Sequence, residues 1–189
     1  MLPIDYLLQR RSCPKLIAPG PTQQQLEWLL KAAQRAADHG RLRPWRFIVI
    51  EGEGRARLAR VFADIAGQGL SGEARVQAQE KAKLKAYRAP TIITVICSPV
   101  PHPKIPKHEQ EHSAAAACQN IVNAAFMLGL GAIWRTGPLV EHEITRQALK
   151  LRDEESIVGF IYVGQPQEMP PEASLIGWEK KVEYIRTAE

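Results

Sequence analysis

Residues 91–97 read Thr-Ile-Ile-Thr-Val-Ile-Cys, a nearly continuous apolar run that follows Pro90. A strand with one wet face alternates apolar and polar side chains, whereas a run apolar at almost every position needs cover on both faces. The chain is therefore expected to bury this strand on both faces. The longest helix runs from about Glu109 to Leu128. Its Ala114–Ala117 stretch, Cys118, Ile121, Val122, Ala125 and Phe126 combine small residues for close approach with apolar bulk, as a central core helix requires. At 189 residues the chain suits one domain spanning 1–189, with a well-buried core.

The remaining elements follow from periodicity and breakers. Ile4, Leu7 and Leu8 recur at helical spacing, and Pro14 closes that helix. After Pro19-Gly20-Pro21, Thr22 and Gln25 have capping-box spacing, and Leu26, Leu29, Leu30 and Ala33 form one stripe of a helix over roughly 22–37. Phe47–Ile50 reads as a strand ending at Gly52-Glu53-Gly54, and Leu58, Val61, Phe62 and Ile65 mark a helix. A polar, peripheral helix is expected around 73–86. Ala132–Trp134 is a short strand, 141–149 a helix, and Ile157–Val163 the last strand, closed by Gly164-Gln165-Pro166. The tail beyond 167 carries Leu175, Ile176, Trp178 and Ile185, too much apolar surface to hang free, so it is expected to pack on a neighbour.

Composition removes several function classes. The N-terminus has no basic stretch leading into an apolar one, so no signal peptide is expected, and no apolar run nears the ~20 residues of a membrane span; the expected address is the cytoplasm. Cys13, Cys97 and Cys118 form no CxxC pair and read as packing residues rather than a disulfide or zinc framework. The net charge of +5 and a pI near 9.2 raise the question of nucleic acid. The basic residues are scattered, with only a modest run at Lys81, Lys83, Lys85 and Arg88, and no recognition motif accompanies them. A basic surface equally attracts phosphorylated small molecules.

The search for chemistry finds no GxSxG elbow, no P-loop and no GxGxxG. His108 and His112 are four apart at a helix start, a metal-capable spacing, but no third ligand is evident and no metal is expected. What remains is Arg10-Arg11-Ser12 at a helix end, Arg35 and His39 four apart at the end of the next helix, Pro44-Trp45, and Trp134-Arg135-Thr136-Gly137. Guanidinium groups with a hydroxyl suit a phosphate monoester. Arg35 and His39, on one helical face, could meet one electron-rich ring edge.

With these residues the sequence resembles the FMN-dependent nitroreductases, in particular the short bacterial NAD(P)H nitroreductases. Five pieces carry the resemblance, in the family's order across residues 1–166: Arg10–Ser12, Arg35–His39, Arg43–Ile50, Gly129–Gly137 and Ile157–Pro166. The resemblance implies an α+β fold, a three-layer sandwich with a mixed central sheet, and an intertwined homodimer with FMN at the subunit interface. Arg10, Arg11 and Ser12 would hold the phosphate and ribityl end. Arg35 and His39 would approach the flavin from the same subunit, and Trp134, Arg135 and Thr136 from the partner. The helix end Ala124, Ala125, Phe126, Met127, Leu128 and Gly129 would neighbour the nicotinamide of NADH or NADPH. Two positions depart from the family pattern: a basic residue common two places after the serine is Pro14 here, with Lys15 beside it, and a common Asn or Gln before Pro-Trp is Arg43.

The activity implied is ping-pong transfer of electrons from NAD(P)H through the flavin to a small acceptor such as a nitroaromatic or a quinone. It needs no dedicated acid or base, which accords with the missing triad. A flavin-binding sensor or carrier with little turnover, and a basic nucleic-acid-binding module, are the alternatives.

Overall fold

The computed structural model describes residues 2–172 and 177–187. Leu175 and Ile176, two of the apolar tail residues, lie outside them. Seven α-helices and five strands follow one another as α1 (Pro3–Gln9), β1 (Leu16–Ile17), α2 (Gln23–Ala33), β2 (Trp45–Glu51), α3 (Gly54–Ala66), α4 (Gly72–Lys83), β3 (Thr91–Cys97), α5 (Lys107–Met127), β4 (Gly131–Arg135), α6 (Pro138–Glu141), α7 (Glu143–Ala148) and β5 (Ser156–Pro166).

The apolar run behaves as its composition demands. Every residue of β3 is buried, and its side chains alternate between two cores. Ile93, Val95 and Cys97 face Leu26, Leu29 and Ala33 of α2 and Ala117, Cys118 and Ile121 of α5. Ile92 and Ile96 face Leu58 and Phe62 of α3, with Ala82 and Ala86 behind them. The two helical layers with the sheet between them are the expected three-layer sandwich. Phe62 meets Phe160 of β5 edge to face at 5.8 Å, a contact worth about 0.5–1.5 kcal/mol beyond the buried area.

The strand sense differs from the expected mixed sheet. Every strand pairing among the described residues is antiparallel: β1, β3 and β4 each pair with β5, and β2 pairs with β3. The crossover through α5 does make β3 and β4 run the same way. But β5 inserts between them, so no two neighbouring strands are parallel. β2 is left on a sheet edge.

Local boundaries shift for identifiable reasons. The capping box forms as read, with Gln25 N–H donating to Thr22 Oγ1 (3.2 Å) and Thr22 N–H to Gln25 Oε1 (2.9 Å). The helix nevertheless stops at Ala33 rather than near 37. The single helix expected over 141–149 is broken at His142, whose extended backbone ends α6 while its Nδ1 accepts from Ile144 N–H to cap α7 (3.2 Å). α4 is peripheral as expected, with Ala82 its one buried residue. No helix among the described residues is long and apolar enough to cross a membrane.

Candidate functional site

Arg10 leaves α1 with extended backbone, and residues 10–12 carry no regular structure. Successive side chains of extended backbone point to opposite sides, which separates Arg11 from Arg10 and Ser12. Cys13 N–H then donates to Ala132 O of β4 at 2.9 Å, pinning the segment beside the strand that carries Trp134. Arg10, Ser12, Gln119, Val122, Trp134 and Thr136 accordingly line one hollow of about 290 Å³. Four of the sequence-selected residues are thus brought together within one chain. Gln119 and Val122 were not foreseen; they sit three apart on α5, and only their common face would have marked them.

The other selected residues go elsewhere. Arg11 is mostly buried, its side chain 17% exposed, with Glu172 Oε1 3.7 Å from Nη1. Its Nε and Nη1 make no hydrogen bond. Arg135, one step from Trp134 along β4, faces the opposite side of the sheet, its guanidinium 5.6 Å from the centre of the Tyr162 ring. Burial, aided by nearby Arg88, lowers the Arg135 pKa, and burial pushes the Tyr162 hydroxyl up to about 12. Arg135 Nε also lacks a hydrogen bond. Strand alternation therefore splits Trp134-Arg135-Thr136, and only its first and last members meet Arg10. Trp134 and Thr136 do so in their own chain, so reaching Arg10 does not require a second subunit.

Arg35 and His39 do not share a helical face, because the helix that would have aligned them ends at Ala33. Arg35 lines a second hollow of about 400 Å³ with Gln34, Ala36, Asp38, Arg41, Arg43 and Trp45, sharing no residue with the first. His39 instead meets Glu109 at the start of α5, Nδ1 to Oε2 2.7 Å. That hydrogen bond holds the Glu109 carboxyl below its ordinary range. The His108 and His112 rings stand 5.9 Å apart, and no group of three or more His, Cys, Asp or Glu among the described residues could hold a metal. The α5 end from Ala124 to Gly129 lines neither hollow. Cys13, Cys97 and Cys118 are buried free thiols, and burial raises the pKa of each, Cys97 to about 11 and Cys118 to about 12.

Trp134 owes its position to Gly159. The indole Nε1 donates to Val158 O at 3.3 Å, and a Cβ on Gly159 would collide with that nitrogen, with the Trp134 Cδ1 only 2.5 Å away. Gly159→Ala is therefore expected to drive Trp134 out of its present seat and destabilise the chain by about 1–3 kcal/mol. Tryptophan fluorescence and a urea titration read both effects; an unchanged emission maximum and midpoint would refute this account of the glycine.

Comparison with known proteins bears on the family and the fold. A profile described as "Nitroreductase family" matches residues 7–165. The chain belongs to the nitroreductase family. It is 42% identical over 164 residues to a protein of Escherichia coli K12 named "Putative NAD(P)H nitroreductase YdjA", covering 87% of this chain and 88% of the relative. The fold superposes on a nitroreductase-like family protein from Bacillus cereus with a TM-score of 0.84 at 23% identity, covering 97% of this chain and 96% of the other. It also matches a nitroreductase with bound FMN from Desulfitobacterium hafniense, with a TM-score of 0.70 at 19% identity and 97% coverage of both chains. The nitroreductases are oxidoreductases, so the chain is placed among enzymes.

Proposed function

We propose that residues 1–189 act as one FMN-binding oxidoreductase domain of a cytoplasmic homodimer, using NADH or NADPH as electron donor and a small molecule, a nitroaromatic or quinone, as acceptor. The observation that carries this reading is the meeting of Arg10, Ser12, Trp134 and Thr136 on one hollow in a chain of this family.

The residues fit the cofactor chemically. A phosphate monoester wants a guanidinium and hydroxyl donors, which Arg10, Ser12 and Thr136 present together. Arg11 lies in the same segment, its guanidinium near Glu172 rather than in the lining of this hollow, and its buried Nε and Nη1 make no hydrogen bond. Trp134 offers an aromatic wall. Bound FMN would supply hydride acceptance from the donor and ping-pong delivery to the acceptor. The chain's own residues would bind and orient it, and Arg35 would favour the negative charge that accumulates on a reduced flavin.

The hollow at Arg10 holds about 290 Å³, whereas pockets for ligands of this class run to roughly 300–1,000 Å³. A second copy bringing its Arg35 against the first hollow would complete the site; this reverses the division that the resemblance implied, because Trp134 and Thr136 lie beside Arg10 in one chain and Arg35 does not. Exposed apolar residues support such a copy. α1 buries none of its residues and leaves Ile4, Leu7 and Leu8 about half exposed, as are Trp28 and Met127. A seven-residue helix has little stability without packing, so α1 is expected to find its cover in the interface. Trp178, Tyr184 and Ile185 of the tail are exposed as well. In this reading the α5 end, Ala124 to Gly129, is the neighbour of the nicotinamide.

The purified chain is expected to be yellow, or to become so with FMN. Arg10→Ala is expected to weaken FMN by roughly 1.5–3 kcal/mol, the worth of a hydrogen bond to a charged group, and to leave riboflavin, which has no phosphate, nearly unaffected. Fluorescence-quenching titrations with both flavins measure the difference. A colourless chain that takes up neither flavin would overturn the reading; equal losses for both flavins would move the phosphate away from Arg10.

A further inference from the structure

We propose that Arg41 and Arg43 form a second phosphate-monoester site in this chain, one that binds the 2′-phosphate of NADPH and sets the donor preference. The proposal rests on the reading above for its donor. It goes beyond it in assigning residues to which that reading gives no part.

Arg35, Arg41 and Arg43 line one hollow of about 400 Å³. Among the described residues, none of the three guanidinium groups has a carboxylate within ion-pair distance or a hydrogen bond. The one acidic side chain in the lining, Asp38, turns its Oδ2 to the Arg43 backbone N–H at 2.6 Å. Arg35, Arg41 and Arg43 are exposed, and three cations against one anion leave this hollow with a surplus of positive charge that attracts anions.

The backbone adds a second, independent observation. Arg41 and Arg43 adopt φ of 55° and 50°, and Gly40 between His39 and Arg41 has φ 73°. The left-handed region is uncommon for a residue with a Cβ. Two arginines hold it here where glycine or asparagine would be easier. Strain of this kind persists where the surroundings impose it, and it gathers at ligand clamps. The loop is anchored at both ends. A Cβ on Gly40 would meet Ile105 Cδ1 at 2.5 Å, and buried Trp45 donates its N–H to Arg43 O (2.7 Å) and its indole N–H to Gln34 Oε1 (3.1 Å). The arginines are thus presented on a fixed turn rather than on a loose one.

The charge selects the ligand. A carboxylate offers two oxygens and one negative charge, while a phosphate monoester offers three terminal oxygens and close to two negative charges, the better match for two planar guanidinium donors at once. A phosphate monoester could come from two sources, the 2′-phosphate of NADPH or the 5′-phosphate of FMN itself, and the experiment separates them.

The test is calorimetric titration of the FMN-supplemented chain with 2′,5′-ADP and with 5′-AMP, and fluorescence titration with FMN and riboflavin. Both are done for the native chain and for Arg41→Gly/Arg43→Gly. The native chain is expected to bind 2′,5′-ADP at least about tenfold more tightly than 5′-AMP, the scale of one lost charge-assisted contact. The double variant is expected to bring the two within about twofold while keeping the FMN preference over riboflavin. Its melting temperature should match or exceed the native value, because glycine accepts positive φ without strain. Equal binding of the two nucleotides by the native chain would overturn the proposal. So would loss of the FMN preference in the double variant, which would give the hollow to the flavin's own phosphate. Nucleotide discrimination in a chain that takes up no flavin would leave this site standing and remove the flavin reading alone.

Discussion

Arg46→Ala is expected to destabilise the chain by about 3 kcal/mol at neutral pH, the lower end of the range for stripping a buried charge of its partner. The Glu155 side chain is wholly buried. Arg46 grips it with two hydrogen bonds of 2.7 Å, from Nε to Oε1 and from Nη2 to Oε2. Ser98 Oγ donates to Oε1 at 2.9 Å and Arg152 N–H to Oε2 at 2.9 Å. The cluster ties the start of β2 and the end of β3 to the loop before β5. Because Ser98 and Arg152 remain in the variant, and Arg46 is itself 35% exposed, the upper end of the range is not reached. Glu155→Gln should cost less, since it leaves the unmatched cation near water rather than a charge in the interior.

The acid limb follows from the same contacts. The Arg46 hydrogen bond, opposed by burial and helped by the Arg152 amide and Ser98, holds the Glu155 carboxyl at about 2 against an ordinary 4.5. A depressed carboxyl contributes stability that is complete above the ordinary value and is lost as pH falls from there through about 2. The native chain should therefore lose this contribution between those values. In Arg46→Ala the carboxyl loses its largest support, so the window narrows and moves upward. Urea midpoints at pH 7, 4 and 3 for both chains measure this. A midpoint for Arg46→Ala within about 0.5 kcal/mol of native at pH 7 would show that the cluster is not holding the fold.

Glu155 also marks where the sequence stops being readable. It sits in a run of charged residues between α7 and β5, indistinguishable by composition from a solvated loop, and its burial depends on Arg46, 109 positions away. Periodicity reports one element's own faces. It therefore found the doubly covered β3, the central α5 and the capping box on Thr22, all of which are local. It could not find that β5 inserts between β3 and β4, because pairing order is a relation between distant strands. The site shows the same division. Arg10, Ser12, Trp134 and Thr136 were legible through the family's motifs, yet Arg135 was grouped with them although strand alternation turns it to the Tyr162 side. Arg35 and His39 were aligned on a helix that ends before either. The chain leaves α2 at Gln34, whose side chain accepts from the indole N–H of Trp45 at 3.1 Å, a contact that a helical stripe does not record.

The proposed division of the flavin site between subunits would have a consequence that one chain alone cannot produce. If each site draws Arg10 from one copy and Arg35 from the other, Arg10→Ala and Arg35→Ala should each empty most sites at an FMN concentration chosen between the native and variant dissociation constants. Each loses a contact worth roughly 1.5–3 kcal/mol, or more than about tenfold in affinity. Mixed dimers carrying one chain of each kind should recover binding. In such a dimer one site pairs the intact Arg10 of the Arg35→Ala chain with the intact Arg35 of the Arg10→Ala chain, while the other site holds both defects. Random assortment makes about half of the dimers mixed, so about a quarter of all sites should fill, and selecting mixed dimers with two affinity tags should raise this to about half. Were Arg10 and Arg35 to serve the flavin from the same subunit, each site of a mixed dimer would carry one defect and no recovery would occur. Flavin absorbance per chain in co-expressed, doubly tagged protein distinguishes the two arrangements, and a homodimeric Arg35→Ala control that keeps the native flavin content would show that Arg35 does not reach the flavin at all. The comparison is insensitive to folding losses, because both variant chains are present in the homodimeric controls.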